Sequence, residues 1–492
     1  MERWQIIAFV IALYLVVTLA IGLLSGRRAS KSVQGYVAGD RDFGLLVMYF
    51  VLGASIFSAF AFLGGPGWAY SRGAAAFYIL CYGVLGIAPY FFIGPKAAAL
   101  GRRHGYVTQA QLICGRFPSR VLSMMIATLT VLAFIPYITL QMRGAGIVIE
   151  AVTEGHVPLW AGAAVAYGVV TIYVLFSGVS AVGWTNTFQG IFMLVIAWVL
   201  GLYLPISLYG GVGEMFARIL EERPELLVMP GLTASGEPWS WGGYSSAIIV
   251  SAVGLMMWPH LFMKAFTARS DDTLKKTVVL FPTFQLFLIP VFLIGFAGVL
   301  YPQQPPSSDF ILPFMILNAD LPAIVVGLFC AGALSASMST GDSLMHAAAS
   351  VTVEDGIRPF KTLSDASRRR LIQGCVLIVG ALAYGFAVSE GASLVVLLLT
   401  AYGIICQLAP PILAAMYWRR ATTSGVIAGF VTGSGTAAFF FISGYLGSDL
   451  RPYDLHEGML GLMAHVPVLI AVSLLTQQQE EGHQEAFTQA AA

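Results

Sequence analysis

Residues 51–73 read VLGASIFSAFAFLGGPGWAYSRG, and no other stretch says as much about how this chain folds. The stretch is apolar over the length of a membrane span. Small residues nevertheless cluster at Gly53 to Ser55, and Gly-Gly-Pro follows at Gly64 to Pro66. Glycine and proline weaken a helix, and unwound backbone is tolerated at membrane depth only where it lines a site. The stretch therefore predicts a broken membrane helix whose free carbonyl oxygens can hold a cation.

The composition of the whole chain is that of a membrane protein. Its 492 residues are 58% hydrophobic and 10% charged, with a mean hydropathy of +0.80, a balance that no ordinary soluble domain shows. Apolar runs of about 20 residues, enough to cross a bilayer, recur along it. They predict an all-α polytopic protein with about thirteen transmembrane helices in one domain, residues 1–475, and a polar tail, residues 476–492. The predicted windows lie near 5–25, 43–70, 75–98, 121–151, 158–177, 185–209, 244–268, 275–300, 311–350, 371–388, 392–417, 424–444 and 457–475.

Lysine and arginine are distributed unevenly among the predicted loops. One set of alternate loops carries clusters such as Arg102 with Arg103 and Arg368 to Arg370, with Lys264 counted among them, whereas the other set carries only isolated arginines. Basic residues accumulate on the cytoplasmic side of a membrane. The pattern predicts a protein of the inner (plasma) membrane with its N-terminus outside and its tail in the cytoplasm.

Charge, cysteines and histidines exclude several classes of function. The net charge of +1, without a continuous basic face, gives no reason to expect a nucleic-acid partner, and no obligatory protein partner is inferred. The five cysteines lack metal-ligand spacing, and the histidines show no local catalytic arrangement, so an enzyme is not expected. A membrane-embedded enzyme and a passive channel remain as alternatives, because ligands alone do not show coupled transport.

Five stretches, taken in order, resemble the sodium:solute symporter family. After residues 51–73, they are RRHGYVTQAQLICGRF (102–117), SGVSAVGWTNTFQG (177–190), WPHLFMKAFTA (258–268) and ALSASMSTGDSLMHAAAS (333–350). The resemblance implies Na⁺-coupled symport of a small organic solute. It also implies a LeuT-like core of two inverted five-helix repeats, within about 43–417, whose broken helices meet near the midplane. Gly254 and Pro259 would interrupt the seventh span as the partner of the second.

Hydroxyl groups on the ninth span are the candidate sodium ligands. Ser339 and Thr340 lie one turn beyond Ala336, so one helix can turn a carbonyl and two hydroxyls toward one point. Na⁺ is a hard cation that such neutral oxygens can hold. The family resemblance implies that the carbonyls of Ala54 and Phe57 complete the shell. The residues alone favour a different interpretation, in which the hydroxyls bond their own helix or join helices; the resemblance reverses that preference.

An acid has changed place relative to the family pattern. Many members have an aspartate three residues before the last glutamine of the motif that reads GWTNTFQ here, where it helps to bind a second sodium, and this chain has Asn186. Asp342 and Ser343 on the ninth span restore an acid beside a hydroxyl. Asp342 is thus a candidate second cation ligand or proton carrier. The alternative is that it lies near a wet helix end, as a cap or paired with Lys264 or Arg269.

Arg143, in YITLQMRGAGIVIE, is the basic residue that the predicted spans bury most deeply. A buried cation needs an anion, and family members that transport acidic sugars use an arginine of this helix to bind the substrate carboxylate. A substrate carboxylate is therefore one candidate partner. Glu150, two turns along the same face, and snorkelling toward the outer surface are the alternatives.

The core helices also carry candidate residues for a solute cavity. Four side chains on these helices are expected to line it: Ser58, Tyr78, Ser251 and Trp258. Packing is the alternative role for each of the aromatic residues. The resemblance is greatest to bacterial members that carry small carboxylates or amino acids. A monocarboxylate is the first expectation, and an amino acid such as proline or alanine is the second.

Overall fold

The computed structural model describes residues 1–28, 32–389, 401–477 and 487. These residues are almost entirely helical, with two isolated β-bridges, so the predicted all-α class is confirmed. Most of the predicted polar tail and the beginning of the predicted window 392–417 lie outside the described residues. The helices, in chain order, are α1 (Arg3–Ser25), α2 (Val33–Ala38), α3 (Leu45–Ile56), α4 (Gly65–Arg72), α5 (Phe77–Ile87), α6 (Tyr90–His104), α7 (Gln109–Arg116), α8 (Arg120–Val152), α9 (Leu159–Tyr209), α10 (Val212–Glu222), α11 (Trp241–Leu255), α12 (Pro259–Phe262), α13 (Asp271–Gln285), α14 (Leu288–Val299), α15 (Ile311–Asn318), α16 (Ala323–Val351), α17 (Asp365–Val388), α18 (Ala409–Tyr417), α19 (Thr423–Tyr445) and α20 (Glu457–Leu475).

The described helices agree with a chain that crosses a membrane many times. By length and hydropathy, 8 helical stretches can span a bilayer, one of them being α13 together with α14 (Asp271–Val299), and the number rises to 10 when each of two bent helix pairs is taken as one span. The count of about thirteen remains a prediction.

Two spans are broken, the first between the small residues at Gly53 to Ser55 and the Gly-Gly-Pro at Gly64 to Pro66, and the second between Gly254 and Pro259. α3 ends at Ile56, helix resumes as a wide turn over Phe60–Gly64, and the axes of the two parts differ by 61°. α11 ends at Leu255 and α12 begins at Pro259, with a bend of 44°. Backbone at each break leaves the helical ladder, so polar groups of the main chain become available to a ligand.

Two boundaries differ from the predicted windows. The windows 158–177 and 185–209 are separated within α9 by a kink at Gly178 instead of a loop, since this residue takes a non-helical backbone conformation (φ 56°, ψ −142°) that L side chains rarely adopt. A Cβ at Gly178 would lie 2.5 Å from the carbonyl oxygen of Tyr36. The window 311–350 is two helices, α15 and α16, because Asp320 has a positive φ and Pro322 occupies the N-cap of α16.

α16 lies at the centre of the fold. It packs against α1, α3, α8 and α9, and every residue from Phe329 to Val351 is buried. Its small residues allow neighbouring helices to approach closely, as is usual in membrane bundles. Polar side chains on α16 therefore have to find their partners inside the protein.

Candidate functional site

Hydroxyls of α16 meet the end of α3 at the first broken span. Ser339 Oγ lies 2.8 Å from the carbonyl oxygen of Ala54 and 3.3 Å from that of Ala336. Thr340 Oγ1 lies 3.2 Å from the carbonyl oxygen of Ser55 and 3.4 Å from that of Ala54. Ser339 and Thr340 are 0% exposed. The structure thus brings together Ala54, Ala336, Ser339 and Thr340 in a group of neutral oxygens that fits a hard monovalent cation.

Phe57, the fifth candidate ligand, lies at the break itself. It follows the last residue of α3, with φ −89° and ψ 86°, and its amide donates to the carbonyl of Gly53. Its ring stacks on that of Phe284 with the centroids 5.7 Å apart. The packed ring holds the backbone of this residue in its non-helical form. The role of its carbonyl as a cation ligand remains a prediction.

Asn186 ties three helices together beside these oxygens. Its Nδ2 lies 3.0 Å from Ser55 Oγ, 3.0 Å from the carbonyl oxygen of Ser339 and 3.4 Å from Ser343 Oγ. Ser55 Oγ and Ser343 Oγ lie 2.9 Å apart. The amide therefore presents its donor side to the cluster, whereas its Oδ1 is buried and makes no hydrogen bond with the described residues.

Asp342 lies deep in the bundle, away from any wet helix end. It is 0% exposed, and its Oδ2 accepts hydrogen bonds from Tyr173 at 2.9 Å and Thr185 at 3.2 Å. Its Oδ1 has no hydrogen-bond partner among the described residues. Arg269 pairs instead with Asp42 at 2.8 Å on the exposed surface. The suggestions that Asp342 lies at a wet end or pairs with Arg269 are therefore wrong.

Lys264, which the sequence offered as one partner for Asp342, is buried. It is 3% exposed, and its Nζ lies 3.3 Å from the Oγ of Ser343, the residue that follows Asp342 on α16. The sequence pattern placed it in a cytoplasmic loop. The second half of the broken seventh span is a short helical segment, however, and it presses Lys264 against α16. The predicted window 244–268 already contained this residue, and that was the available signal.

No hydrogen bond among the described residues connects Arg143 to the four candidate cavity residues. Its Nη1 donates to the carbonyl of Ser389, just beyond the end of α17, at 2.9 Å, and the side chain is partly exposed. No ion pair joins it to Glu150 among the described residues. The direction in which a helical residue points depends on the rotation of the helix, and α8 presents Gln141 to the break instead.

Gln141 is a residue that sequence reasoning missed. Its Oε1 accepts a hydrogen bond from the amide of Ala59 at 2.8 Å, and its own carbonyl accepts one from Ser337 Oγ at 2.7 Å. One residue of α8 thus supports both the first break and α16. A glutamine in an apolar helix was the only sequence signal.

Buried aromatic rings surround Trp258 at the second break. The ring of Trp258 lies over Phe134 at a centroid distance of 5.9 Å, and Tyr137 and Tyr402 lie at 5.0 and 5.4 Å. The indole N–H of Trp258 is buried without an acceptor among the described residues. The role of this residue in a solute cavity remains a prediction.

The three remaining cavity candidates are buried and hydrogen-bonded. Tyr78 and Ser251 share a hydrogen bond between their hydroxyls. Ser58 Oγ accepts a hydrogen bond from the amide of Phe60 at 3.1 Å. These contacts connect α5 with α11 and hold the backbone just beyond the first break.

A helical membrane core with two broken helices beside a group of buried oxygens is the architecture of a secondary transporter. The model of the sodium:solute symporter family matches residues 36–433, which is most of the chain. The chain belongs to that family. It is a Na⁺-coupled symporter of a small solute in the plasma membrane, and this family consists of transporters rather than enzymes.

Curated relatives are similar over nearly the whole chain. An uncharacterized Bacillus subtilis symporter, YhjB, is 28% identical and the match covers 94% of this chain and 96% of the relative. A monocarboxylate transport permease protein of Rhizobium johnstonii is 24% identical, with 94% and 95% covered. A high-affinity proline transporter of Bacillus subtilis, PutP, is 25% identical, with 95% and 98% covered. The relatives therefore differ in their solutes.

The fold matches that of a solved transporter. The substrate-bound, outward-open structure of a Na⁺-coupled sialic acid symporter superposes with a TM-score of 0.80 at 18% identity, covering 96% of this chain and 98% of that chain. The predicted LeuT-like fold is confirmed.

Proposed function

We propose that this symporter carries a small monocarboxylate together with Na⁺. The observation that carries the proposal is the indole N–H of Trp258, which is 1% exposed and lacks an acceptor among the described residues. A buried donor without a partner costs about 1–3 kcal/mol, so a bound solute that offers an acceptor is favoured there. A carboxylate offers only acceptors and makes the stronger, charge-assisted hydrogen bond.

The aromatic rings around Trp258 suit a solute with a short apolar body. Phe134, Tyr137 and Tyr402 surround the Trp258 ring at 5.0–5.9 Å and can pack against alkyl groups. The printed name of the Rhizobium johnstonii relative supports a monocarboxylate. Arg143, which contacts Ser389, is a weaker candidate for the carboxylate than Trp258.

The proposed sodium ligands are the backbone and hydroxyl oxygens at the first break. They are Ala54, Phe57, Ala336, Ser339 and Thr340, of which Ser339 and Ala54 lie closest. Binding an ion there joins α3 to α16. The break faces the cavity side of α8 through Gln141, so ion binding also orders the backbone that lies next to the solute.

We further propose that residues 1–475 form one transporter domain, with the N-terminus outside and the C-terminal tail in the cytoplasm. The distribution of basic residues supports this orientation, since Arg368 to Arg370 and Arg419 with Arg420 share one side with the predicted tail.

An amino acid is the second candidate solute, because a proline transporter is a relative of similar identity. Its ammonium group needs an acceptor as well as donors. The hydroxyls of Tyr78 and Ser251 can act as either, which keeps this possibility testable.

Uptake into proteoliposomes tests the proposal. An inward Na⁺ gradient is expected to drive accumulation of labelled pyruvate, lactate or propionate, and replacing Na⁺ by choline is expected to abolish it. Accumulation of proline or alanine, with no accumulation of pyruvate, lactate or propionate, would establish the second candidate. Equal accumulation of solute without Na⁺ on either side would overturn coupled symport.

Trp258→Phe tests the donor, because it keeps an aromatic ring and removes the N–H. The KM for the carboxylate is expected to rise about tenfold to a hundredfold, the equivalent of one hydrogen bond to a charged group. Trp184→Phe is the matched control, since Trp184 is half exposed on the outer face of α9. An unchanged KM in Trp258→Phe would remove this residue from the proposed site.

A further inference from the structure

The cluster beside the proposed sodium site already contains a positive charge. Lys264 Nζ lies 3.3 Å from Ser343 Oγ, and that hydroxyl also lies within hydrogen-bond distance of Ser55 Oγ and Asn186 Nδ2. Lys264 is 3% exposed and Asp342 is 0% exposed. Buried charges persist when an opposite charge and hydrogen bonds compensate them, and Asp342, the residue before Ser343 on α16, is the buried acid next to that hydroxyl.

We propose that the Lys264 ammonium serves as a tethered cation at Asp342 and Ser343, in place of a second sodium ion. The transporter then binds one Na⁺, at the first break, in each cycle. This inference rests on the proposed function only for the identity of the coupling site.

The donors around Ser343 support the assignment. Lys264 Nζ and Asn186 Nδ2 lie 3.3 and 3.4 Å from Ser343 Oγ, so the hydroxyl faces two N–H donors. A sodium ion needs oxygen lone pairs turned toward it. N–H groups present positive partial charge instead, and they repel a cation at that point.

The sum of the charges in this cluster also argues against a second sodium ion there. Asp342 contributes one negative charge, Lys264 contributes one positive charge, and Asn186 contributes none where many family members have an acid. A further Na⁺ would leave this buried cluster with a net positive charge. Ser343 lies one turn along α16 from Ser339, so that charge would also oppose the ion at the first break.

One carboxylate oxygen of Asp342 is not held by a hydroxyl donor. Its Oδ2 is held by Tyr173 and Thr185, whereas its Oδ1 has no hydrogen-bond partner among the described residues. The two hydroxyl donors belong to α9 and hold the Asp342 carboxylate of α16, while Lys264 approaches from the second broken span. A movement of that span away from α16 would therefore separate the lysine from Ser343.

Equilibrium binding of ²²Na⁺ to the purified full-length protein in detergent tests the inference without any solute. The wild type is expected to bind one ion per chain with a Hill coefficient near one. Lys264→Met removes the ammonium, leaves the Asp342 charge, and is expected to bind a second ion, with the Hill coefficient rising toward two. Lys264→Arg keeps the charge and is expected to bind one ion.

A second variant keeps the test decisive if Lys264→Met fails to fold. The double variant Lys264→Met with Asn186→Asp restores the acid of the family pattern and is expected to bind two ions. Binding of two ions by the wild type would overturn the inference, and so would unchanged binding of one ion by both folded methionine variants. Loss of all Na⁺ binding in the wild type would instead overturn the proposed function, whereas failure of carboxylate uptake alone would leave this inference intact.

Discussion

Ser339 Oγ lies 2.8 Å from the carbonyl oxygen of Ala54, although 285 residues separate the two in sequence. The contact joins α16 to the end of α3 at the break, where the helix no longer supplies partners for its carbonyls. It is the shortest of the contacts that Ser339 and Thr340 make across this junction.

Ser339→Ala and Thr340→Ala are each expected to raise the Na⁺ concentration for half-maximal uptake about tenfold, because each removes one oxygen from the proposed ion shell. Uptake measured against Na⁺ concentration checks this. Thr340→Ser keeps the hydroxyl and should resemble the wild type. Ser350→Ala is the control on the same helix, since its hydroxyl bonds the carbonyl of His346. A Na⁺ dependence equal to that of the control in both alanine variants would contradict the assignment.

Gln141→Leu is expected to lower the melting temperature by several degrees, because the buried amide of Ala59 loses its acceptor at a cost of about 1–3 kcal/mol. Thermal unfolding in detergent measures the change. Gln477→Leu, at an exposed position, is the control. Equal melting temperatures for the two variants would show that the Ala59 contact does not stabilise the break.

Gly295→Ala should destabilise the junction of α14 with α4. Its new Cβ would lie 2.2 Å from the carbonyl oxygen of Pro66, so the helices have to move apart, and overpacking of this kind costs about 1–3 kcal/mol. Gly385→Ala in α17 meets nothing within 4 Å and should leave stability unchanged or slightly higher. The comparison uses melting temperatures, and similar values would argue against close packing at Gly295.

Glu354→Gln is expected to destabilise the protein by about 3–5 kcal/mol, because Glu354 is buried and pairs with Arg368 at 2.5 Å and Arg358 at 3.0 Å. Asp365→Asn is a matched control. It removes another acid from Arg368, but the Asp365 side chain is 65% exposed, and such pairs contribute about 0–1 kcal/mol. Denaturation in detergent measures the loss of unfolding free energy in both variants. A smaller loss for Glu354→Gln than for Asp365→Asn would contradict the prediction.

The predicted orientation can be tested by labelling. In a background without the native cysteines, Ser448→Cys is expected to react with a membrane-impermeant maleimide in intact cells, because its loop lies on the proposed outer side. Thr362→Cys is expected to react only after permeabilisation. Both positions are exposed in the structure. The reverse labelling pattern would invert the topology.

The local sequence pattern was sufficient to predict those features of the site that depend on a single helix. Glycine and proline predicted the two breaks, and helical spacing placed Ala336, Ser339 and Thr340 on one face. Both inferences depend on a few neighbouring residues. Their ligand roles still depend on the proposed function.

Tertiary position determined what the sequence did not show. Lys264 has the surroundings of a loop residue in sequence, and only the packing of a short half-helix against α16 buries it. Arg143 and Gln141 are two residues apart on α8, and the rotation of that helix decides which one faces the break. Hydropathy along the sequence shows neither how a helix is rotated about its axis nor whether a short half-helix is buried.

Gln141 restricts how this transporter can move. Its side chain is bonded to the first break and its backbone to α16, so α8 cannot shift against either without breaking a hydrogen bond. Helices linked in this way travel as one body. Access to the two sides of the membrane then has to alternate through elements outside this linked group.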